Sequence, residues 1–313
     1  MMKVAVWGRN LEDFYLRSVS QLGADAIDEL PIPNEPGTGY FDLKSVLNIK
    51  KKIHSYGMEV NRVSLPYLSE NYMGNGDGAE EELENCSQCL RVLGEAGMSL
   101  ARVGFAKDTY PWMRRYYEAK HRGGYFFRGE SLSNNLMAPS PADQDLWWQR
   151  VCHAYDKLVP IAEDFGVRLM MHPSDPPSPG APFGGLGFHR LIDAFPNRCV
   201  GYLYCCGTRA EAGGQSLVLD EINNYGRKGR IFMVHFRNVR GSLATAGAFE
   251  EVMLDDGDMN MFEVLQELQR VGFEGYLQPD HCPPVGDDLE DAIRGVGYAV
   301  GYIKGLLAVL ASG

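Results

Sequence analysis

Four side chains with the chemistry of metal ligands stand at corresponding places in the second half of the chain. His172 ends the apolar run Arg168-Leu-Met-Met-His172 and is followed at once by Pro173. Cys205 ends the run from Val200, His235 lies in the run from Arg230 to Asn238, and Asp280 lies in the run from Gly275 to His281. Two imidazoles, a thiolate and a carboxylate make a mixed N/S/O set suited to a divalent first-row ion, with positions left for water or substrate. Calcium and magnesium prefer all-oxygen cages. The alternative is a closed structural zinc site, but such sites generally draw on ligands close together in sequence on a small fold.

Neighbouring residues add chemistry. Strand side chains alternate faces, so Met233, His235 and Arg237 share one side and Val234 and Phe236 the other. Arg237 is therefore expected beside His235, where it suits an anion. His281 directly follows Asp280 and is expected at the rim of the site, free to move protons. Cys206 should face away from Cys205 into the core. Cys86 and Cys89 form a CxxC inside a Glu-rich amphipathic segment with no second pair, so helix packing is the reading there. His54, His121, His153 and His189 have no comparable context.

The elements that position these residues alternate along the whole chain. Eight short apolar or β-branched runs are strand candidates: Val4 to Trp7, Ala24 to Leu30, Val60 to Leu65, Leu100 to Phe105, Arg168 to His172, Val200 to Cys205, Ile231 to Arg237 and Tyr276 to Asp280. Helical periodicity occupies roughly 11–22, 41–56, 79–97, 141–166, 186–195, 214–227, 258–271 and 287–311. Gly23, Gly57, Gly97, Gly166 and Gly272 fall at or just past helix ends, where a left-handed cap is wanted. Eight strands alternating with eight helices predict an α/β protein, a (β/α)8 TIM barrel. A doubly wound open sheet would usually carry a Gly-rich phosphate turn after an early strand, and none is present. The active site of such a barrel lies at the C-terminal ends of its strands, where His172, Cys205, His235 and Asp280 fall. Long connections at 106–140 and 173–188 rise from that face and are expected to act as lids or binding loops.

Length and composition set outer bounds. With 313 residues and no linker-like stretch, one domain is expected over 1–313. A net charge of -11 should repel polyphosphate and anionic lipid, which argues against nucleic acid and membrane partners. Seven irregularly spaced cysteines and no secretory signal point to a reducing compartment, hence a cytoplasmic protein. The longest apolar run, Gly305 to Ala311, is too short to span a bilayer. Against this acidic background, residues 106–130 are locally +3, with Lys107, Arg114, Arg115, Lys120, Arg122 and Arg128 interleaved with Tyr110, Trp112, Tyr116, Tyr117, Tyr125, Phe126 and Phe127. Guanidinium forks and aromatic faces of this kind suit a small anionic substrate such as a sugar acid. An ordinary solvated loop or a homo-oligomer contact is the alternative.

Four motifs together resemble the mannonate dehydratase family: His172-Pro-Ser-Asp-Pro-Pro177, Cys205-Cys-Gly207, His235-Phe-Arg-Asn-Val239 and Gln278-Pro-Asp-His281, the last preceded by Phe273-Glu-Gly-Tyr276. The resemblance is strong over 168–281. It is faint elsewhere, in Gln21-Leu-Gly-Ala24, Ile32-Pro33 and Trp112-Met-Arg114. It implies a xylose isomerase-like barrel, usually with manganese, that removes water from D-mannonate to give 2-keto-3-deoxy-D-gluconate. Carried over position by position, it implies His172, Cys205, His235 and Asp280 as metal ligands and His281 as the acid/base group. Arg237, Asn238, Trp112 and Arg114 are the expected substrate contacts, with Arg237 also steadying charge during catalysis.

This chain departs from the family around its early strands. No histidine pair follows the second strand near Leu30-Pro31, and Val63 stands where a glutamate is usual. The Tyr-Asn-Phe-Met-Pro after the fourth strand is missing, Ser174 replaces an aspartate, and Tyr298 lies in helical register rather than in a Gly-Tyr-Gly turn. The expected function is a metal-dependent sugar-acid dehydratase of hexuronate catabolism, with Mn2+ as the expected ion and Fe2+, Co2+, Ni2+ or Zn2+ as substitutes. The alternatives are a sugar isomerase or epimerase on the same barrel, and a non-catalytic homologue that binds metal.

Overall fold

The computed structural model describes residues 1–106, 114–133, 139–175, 177, 183–287 and 292–312; at 114 and 185–187 it describes backbone alone. The strands are, in chain order, β1 (Lys3–Trp7), β2 (Ala26–Asp28), β3 (Glu59–Val60), β4 (Val63–Ser64), β5 (Leu100–Arg102), β6 (Arg114–Lys120), β7 (Phe126–Leu132), β8 (Arg168–Met171), β9 (Val200–Cys205), β10 (Ile231–His235), β11 (Asn238–Ser242), β12 (Ala248–Val252) and β13 (Tyr276–Gln278). Nine of them form a parallel sheet in the order β3-β2-β1-β13-β10-β9-β8-β5-β4.

The two ends of that order are consecutive in the chain. β3 and β4 are halves of one barrel strand, parted by Asn61 and Arg62, with β3 paired to β2 and β4 to β5. The sheet therefore curls shut on eight barrel strands, which removes its edges. All eight coincide with the runs predicted from sequence.

Helices cover the outside, and their ends follow local chemistry. The helix Pro141–Phe165 starts in a capping box, with Ser140 Oγ accepting from Asp143 N and Asp143 accepting in return from Ser140 N. It stops at Gly166, whose φ of 67° is open to a residue without Cβ. The last helix, Ile293–Ser312, is long and apolar enough by composition to cross a membrane, unlike the shorter run on which a span was excluded. Here it buries Val296, Ala299, Val300 and Ile303 and packs on the helices Asp13–Gln21 and Met261–Arg270.

Inside the barrel, Leu100, Met170, Leu203, Phe232 and Met233 form a separate buried cluster. Leu100, Met170, Leu203 and Met233 come from four neighbouring strands. Because alternate strand residues share a face, the residues two positions further on line the next layer, toward the C-terminal mouth. That layer contains Arg102, His172, Cys205 and His235.

One expectation is corrected. The connection 106–140 is not one long lid-like loop, since β6 and β7 pair antiparallel from Arg114↔Leu132 to Lys120↔Phe126 around the turn at Arg122–Gly124. β7 pairs with β12 and β12 with β11, giving a four-stranded antiparallel sheet above the mouth. It joins a connection after β5 to the one after β10. Tyr116 and Tyr117 on β6 and Phe126 and Phe127 on β7 are of the aromatic type that strands favour.

Candidate metal centre

One ligand atom from each of His172, Cys205, His235 and Asp280 lies within 4.8 Å of every other. Their strands, β8, β9, β10 and β13, are contiguous in the barrel, so the four donors occupy one arc of the mouth. The His172 and His235 rings are tilted at 54° with centroids 5.2 Å apart.

The details of each donor suit a cation. His172 Nδ1 lies 2.6 Å from the Pro173 carbonyl, to which it donates, and this leaves the Nε2 lone pair available. Both ring nitrogens of His235 are buried without a hydrogen bond among the described residues, and Nδ1 lies 3.2 Å from Asp280 Oδ2. Cys205 caps the helix Cys206–Arg227, its Sγ accepting from Thr208 N at 3.4 Å and Thr208 Oγ1 at 3.2 Å. Burial pushes the thiol up to about 11, against the pull of Arg237, so thiolate formation and cation binding are coupled. Burial pushes Asp280 up, but His235, His281 and Arg237 hold it well below the usual carboxylate range. Burial, then Arg102 and His235, keeps the His172 imidazole neutral. This donor set fits a divalent first-row ion.

Behind the donors lies a shell of charge that sequence reading largely missed. His281 Nδ1 donates to Glu251 Oε1 at 2.5 Å, and His281 Nε2 lies 3.5 Å from Asp280 Oδ2. Burial alone would lower the His281 pKa, but Asp280 and Glu251 raise it above the ordinary value. Glu251 sits on β12, in the sheet that sequence reading did not find. Arg237 does reach the mouth, yet it is 2% exposed and bound to Glu211 Oε1 at 2.7 Å, Glu251 Oε1 at 3.0 Å and Thr208 Oγ1 at 2.9 Å. Its guanidinium orients these groups instead of standing open to an anion.

The close fit of Arg237 explains Cys205-Cys206-Gly207. A Cβ on Gly207 would meet Arg237 Cγ at 2.4 Å and Nε at 2.6 Å. Gly207→Ala should therefore destabilise the fold by about 1–3 kcal/mol through overpacking, read as a lowered thermal midpoint. An unchanged midpoint would show that Arg237 has room to move.

The side-chain amide of Asn238, an expected substrate contact, is engaged within the protein. Its Nδ2 donates to the carbonyls of Leu254 and Met259, and its Oδ1 accepts from Val239 N and Met259 N, so its polar capacity is filled by loop 253–259. Trp112 lies outside the described residues, and of Arg114 only its backbone place at the start of β6 is described. Two cations of the basic stretch, Arg122 and Arg128, are paired with carboxylates, chiefly from the segment 251–255. Arg122 donates to Asp255 Oδ1 at 2.8 Å, and Arg128 binds Glu251 at 2.6 Å and Glu130 at 3.1 Å. Beside this hairpin a cleft of about 920 Å³ opens, lined by Tyr117, Tyr125, Phe127, Arg128 and Met253 among others.

The opposite arc of the mouth, from β2 to β5, carries a second network. Arg62, fully buried, donates from Nε to Asp28 Oδ2 at 3.0 Å and from Nη2 to Glu29 Oε2 at 2.8 Å. Asn61 Nδ2 donates to Asp28 Oδ1 at 2.8 Å and Ser64 Oγ to Glu29 Oε1 at 2.9 Å. Burial raises Asp28 despite Arg62, whereas Arg62 and Arg102 overcome burial at Glu29 and hold it at about 2.

Fold and site together define a xylose isomerase-like TIM barrel with a metal-ligand cluster at its C-terminal mouth. The family model for D-mannonate dehydratase (UxuA) matches residues 128–312, and the chain belongs to that family, whose chemistry is that of a hydro-lyase. A mannonate dehydratase of Brachyspira hyodysenteriae is 22% identical over all of this chain and 97% of its own length. The crystal structure of mannonate dehydratase from Streptococcus suis superposes with a TM-score of 0.82 at 21% identity, covering 100% of this chain and 96% of that one. A xylose isomerase-like TIM barrel protein from Mycobacterium smegmatis, solved in complex with magnesium, gives a TM-score of 0.58 at 14% identity, covering 98% of each chain.

Proposed function

We propose that this protein is a metal-dependent sugar-acid dehydratase that converts D-mannonate, or a close relative, to the 2-keto-3-deoxy acid and water. The observation that carries the reading is the convergence of His172, Cys205, His235 and Asp280 within 4.8 Å beside the His281–Glu251 pair. His172, Cys205, His235 and Asp280 would hold the ion, with manganese as the expected ion. Bound there, it would supply a Lewis acid for the negative charge that develops next to the substrate carboxylate.

Dehydration needs a proton removed beside the carboxylate and a hydroxyl protonated as it leaves, because hydroxide is a poor leaving group. Glu251 fixes the ring of His281 through Nδ1 and favours its cationic form, which turns Nε2–H toward the donor cluster. His281 is therefore the acid that protonates the departing hydroxyl. Arg237 holds Glu251 and Glu211 in place and, through Nε at 3.5 Å, faces Asp280. Its part is to position the acid and the carboxylate donor. The described cysteines are all free, which suits a reducing cytoplasm.

The test is product formation from a panel of aldonic acids, D-mannonate included, with protein reconstituted separately with manganese, cobalt, nickel and zinc. A 2-keto-3-deoxy product is expected. His281→Ala should lower kcat by about 10²–10⁴-fold while metal content stays the same. Metal bound without dehydration of any acid would sink the reading, and neutral ketoses and aldoses would be tried next.

A further inference from the structure

Three of the four residues in the layer above Leu100, Met170, Leu203 and Met233 are metal-type donors. The fourth is Arg102, at the end of β5, where it pairs with Met170 of β8, two residues before His172. Because β5 is hydrogen-bonded to β8, Arg102 stands beside the His172 end of the donor arc.

Four described arginines surround this mouth, and three are each held by two carboxylates at 3.1 Å or less. Arg62 is held by Asp28 and Glu29, Arg128 by Glu130 and Glu251, and Arg237 by Glu211 and Glu251. Arg102 differs. It makes one long ion contact, 3.8 Å from Nη1 to Glu29 Oε1, and no hydrogen bond among the described residues. Glu29 is already engaged by Arg62 at 2.8 Å and Ser64 at 2.9 Å. The Arg102 side chain keeps 26% exposure, unlike the buried Arg62 and Arg237. A guanidinium presents five N–H donors in a fork that matches a carboxylate, and a half-buried one without such a partner is a receptor for one.

We propose that Arg102 is the anion clamp of the substrate site: it takes the carboxylate of the sugar acid in a forked hydrogen bond, beside the His172 end of the donor cluster. The inference rests on the sugar-acid reading of the site. Arg102 thereby selects an acid over a neutral sugar of the same shape, and it sets which end of the chain meets His281. Arg237, the cation on the donor arc, keeps only Nε without a hydrogen bond, facing Asp280, and is otherwise buried against Glu211 and Glu251.

The experiment compares binding of D-mannonate with that of its neutral amide, D-mannonamide, by calorimetry on metal-reconstituted wild-type protein, Arg102→Gln and Arg102→Lys. Wild-type protein should prefer the acid, and Arg102→Gln should narrow that preference by about 10- to 100-fold, as expected for hydrogen bonds to a charged group. Arg102→Lys keeps the charge without the fork and should fall between the two. Metal content and thermal midpoint serve as checks on folding. An acid-to-amide ratio unchanged in Arg102→Gln overturns the proposal, as does a wild-type protein that binds both ligands alike. Should Arg102→Gln fail to fold, an unchanged ratio in Arg102→Lys overturns it and a narrowed one supports it. Because the readout is binding, it separates the two claims. Protein that shows the Arg102-dependent preference but dehydrates no acid overturns the dehydratase reading alone, and wild-type protein that binds neither ligand overturns both.

Discussion

Asp280→Asn should release the metal and lower dehydration by about 10³-fold or more. The ion's contribution to holding transition-state charge is several kcal/mol, and each 1.4 kcal/mol is a factor of ten. The substitution is nearly isosteric, so the loss is one of chemistry. It removes the anionic oxygen 3.2 Å from His235 Nδ1 and 3.5 Å from Arg237 Nε, and it can turn an amide N–H toward those same groups. The check is metal retained per chain after dialysis, measured beside the rate. Stoichiometric retention in Asp280→Asn would remove Asp280 from the donor set.

Arg62→Met should destabilise the fold by about 3–5 kcal/mol, because it leaves the buried Asp28 carboxyl without its cation. The loss should appear as a thermal midpoint lower by about 10 °C, with metal content preserved. Burial already raises Asp28 above its ordinary value against the pull of Arg62, and removing Arg62 should raise it further. A carboxyl whose folded pKa exceeds its unfolded one binds more protons when folded. The stability it contributes is therefore present at low pH and lost as pH rises through the carboxylate range. Arg62→Met should lose less at acidic pH than at neutral pH, and adding Asp28→Asn should restore much of the midpoint. Equal losses across pH would assign the effect to packing instead of to charge.

Much of the barrel was legible because each of its strands is a short apolar run between helical segments, and a barrel strand has no other use for such a run. The donor quartet was legible for a related reason: His172, Cys205, His235 and Asp280 each end or closely follow a strand, where a polar side chain has nothing to do in a core. The antiparallel sheet was not. β11 begins only three residues after β10 ends, so the two read as one run, and the small residues 241–248 hid the turn to β12. Glu251 was lost with that strand. An acidic residue on an exposed-looking segment carries no mark of a partner thirty positions away in His281. The charge excess of β6 and β7 does not by itself show a ligand site, because Asp255 and Glu251, which pair with Arg122 and Arg128, lie on distant segments. At Asp28, Glu29, Arg62 and Arg102, sequence reading recorded only what the family has there and this chain lacks; that these residues join into one network needed closure of the barrel through the split strand.

The four donors stand at the ends of β8, β9, β10 and β13, and the charged network on the stretch from β2 to β5, so the residues that would hold the ion and those of the network lie on different strands. Substitutions at 29 and 102, which keep the buried Arg62–Asp28 pair intact, can be combined and selected for new substrates while the ion is held by residues on other strands. A library confined to those positions is thus a way to change what the barrel accepts without rebuilding how it reacts, and the same separation gives an evolving lineage a route between acids that differ at one end.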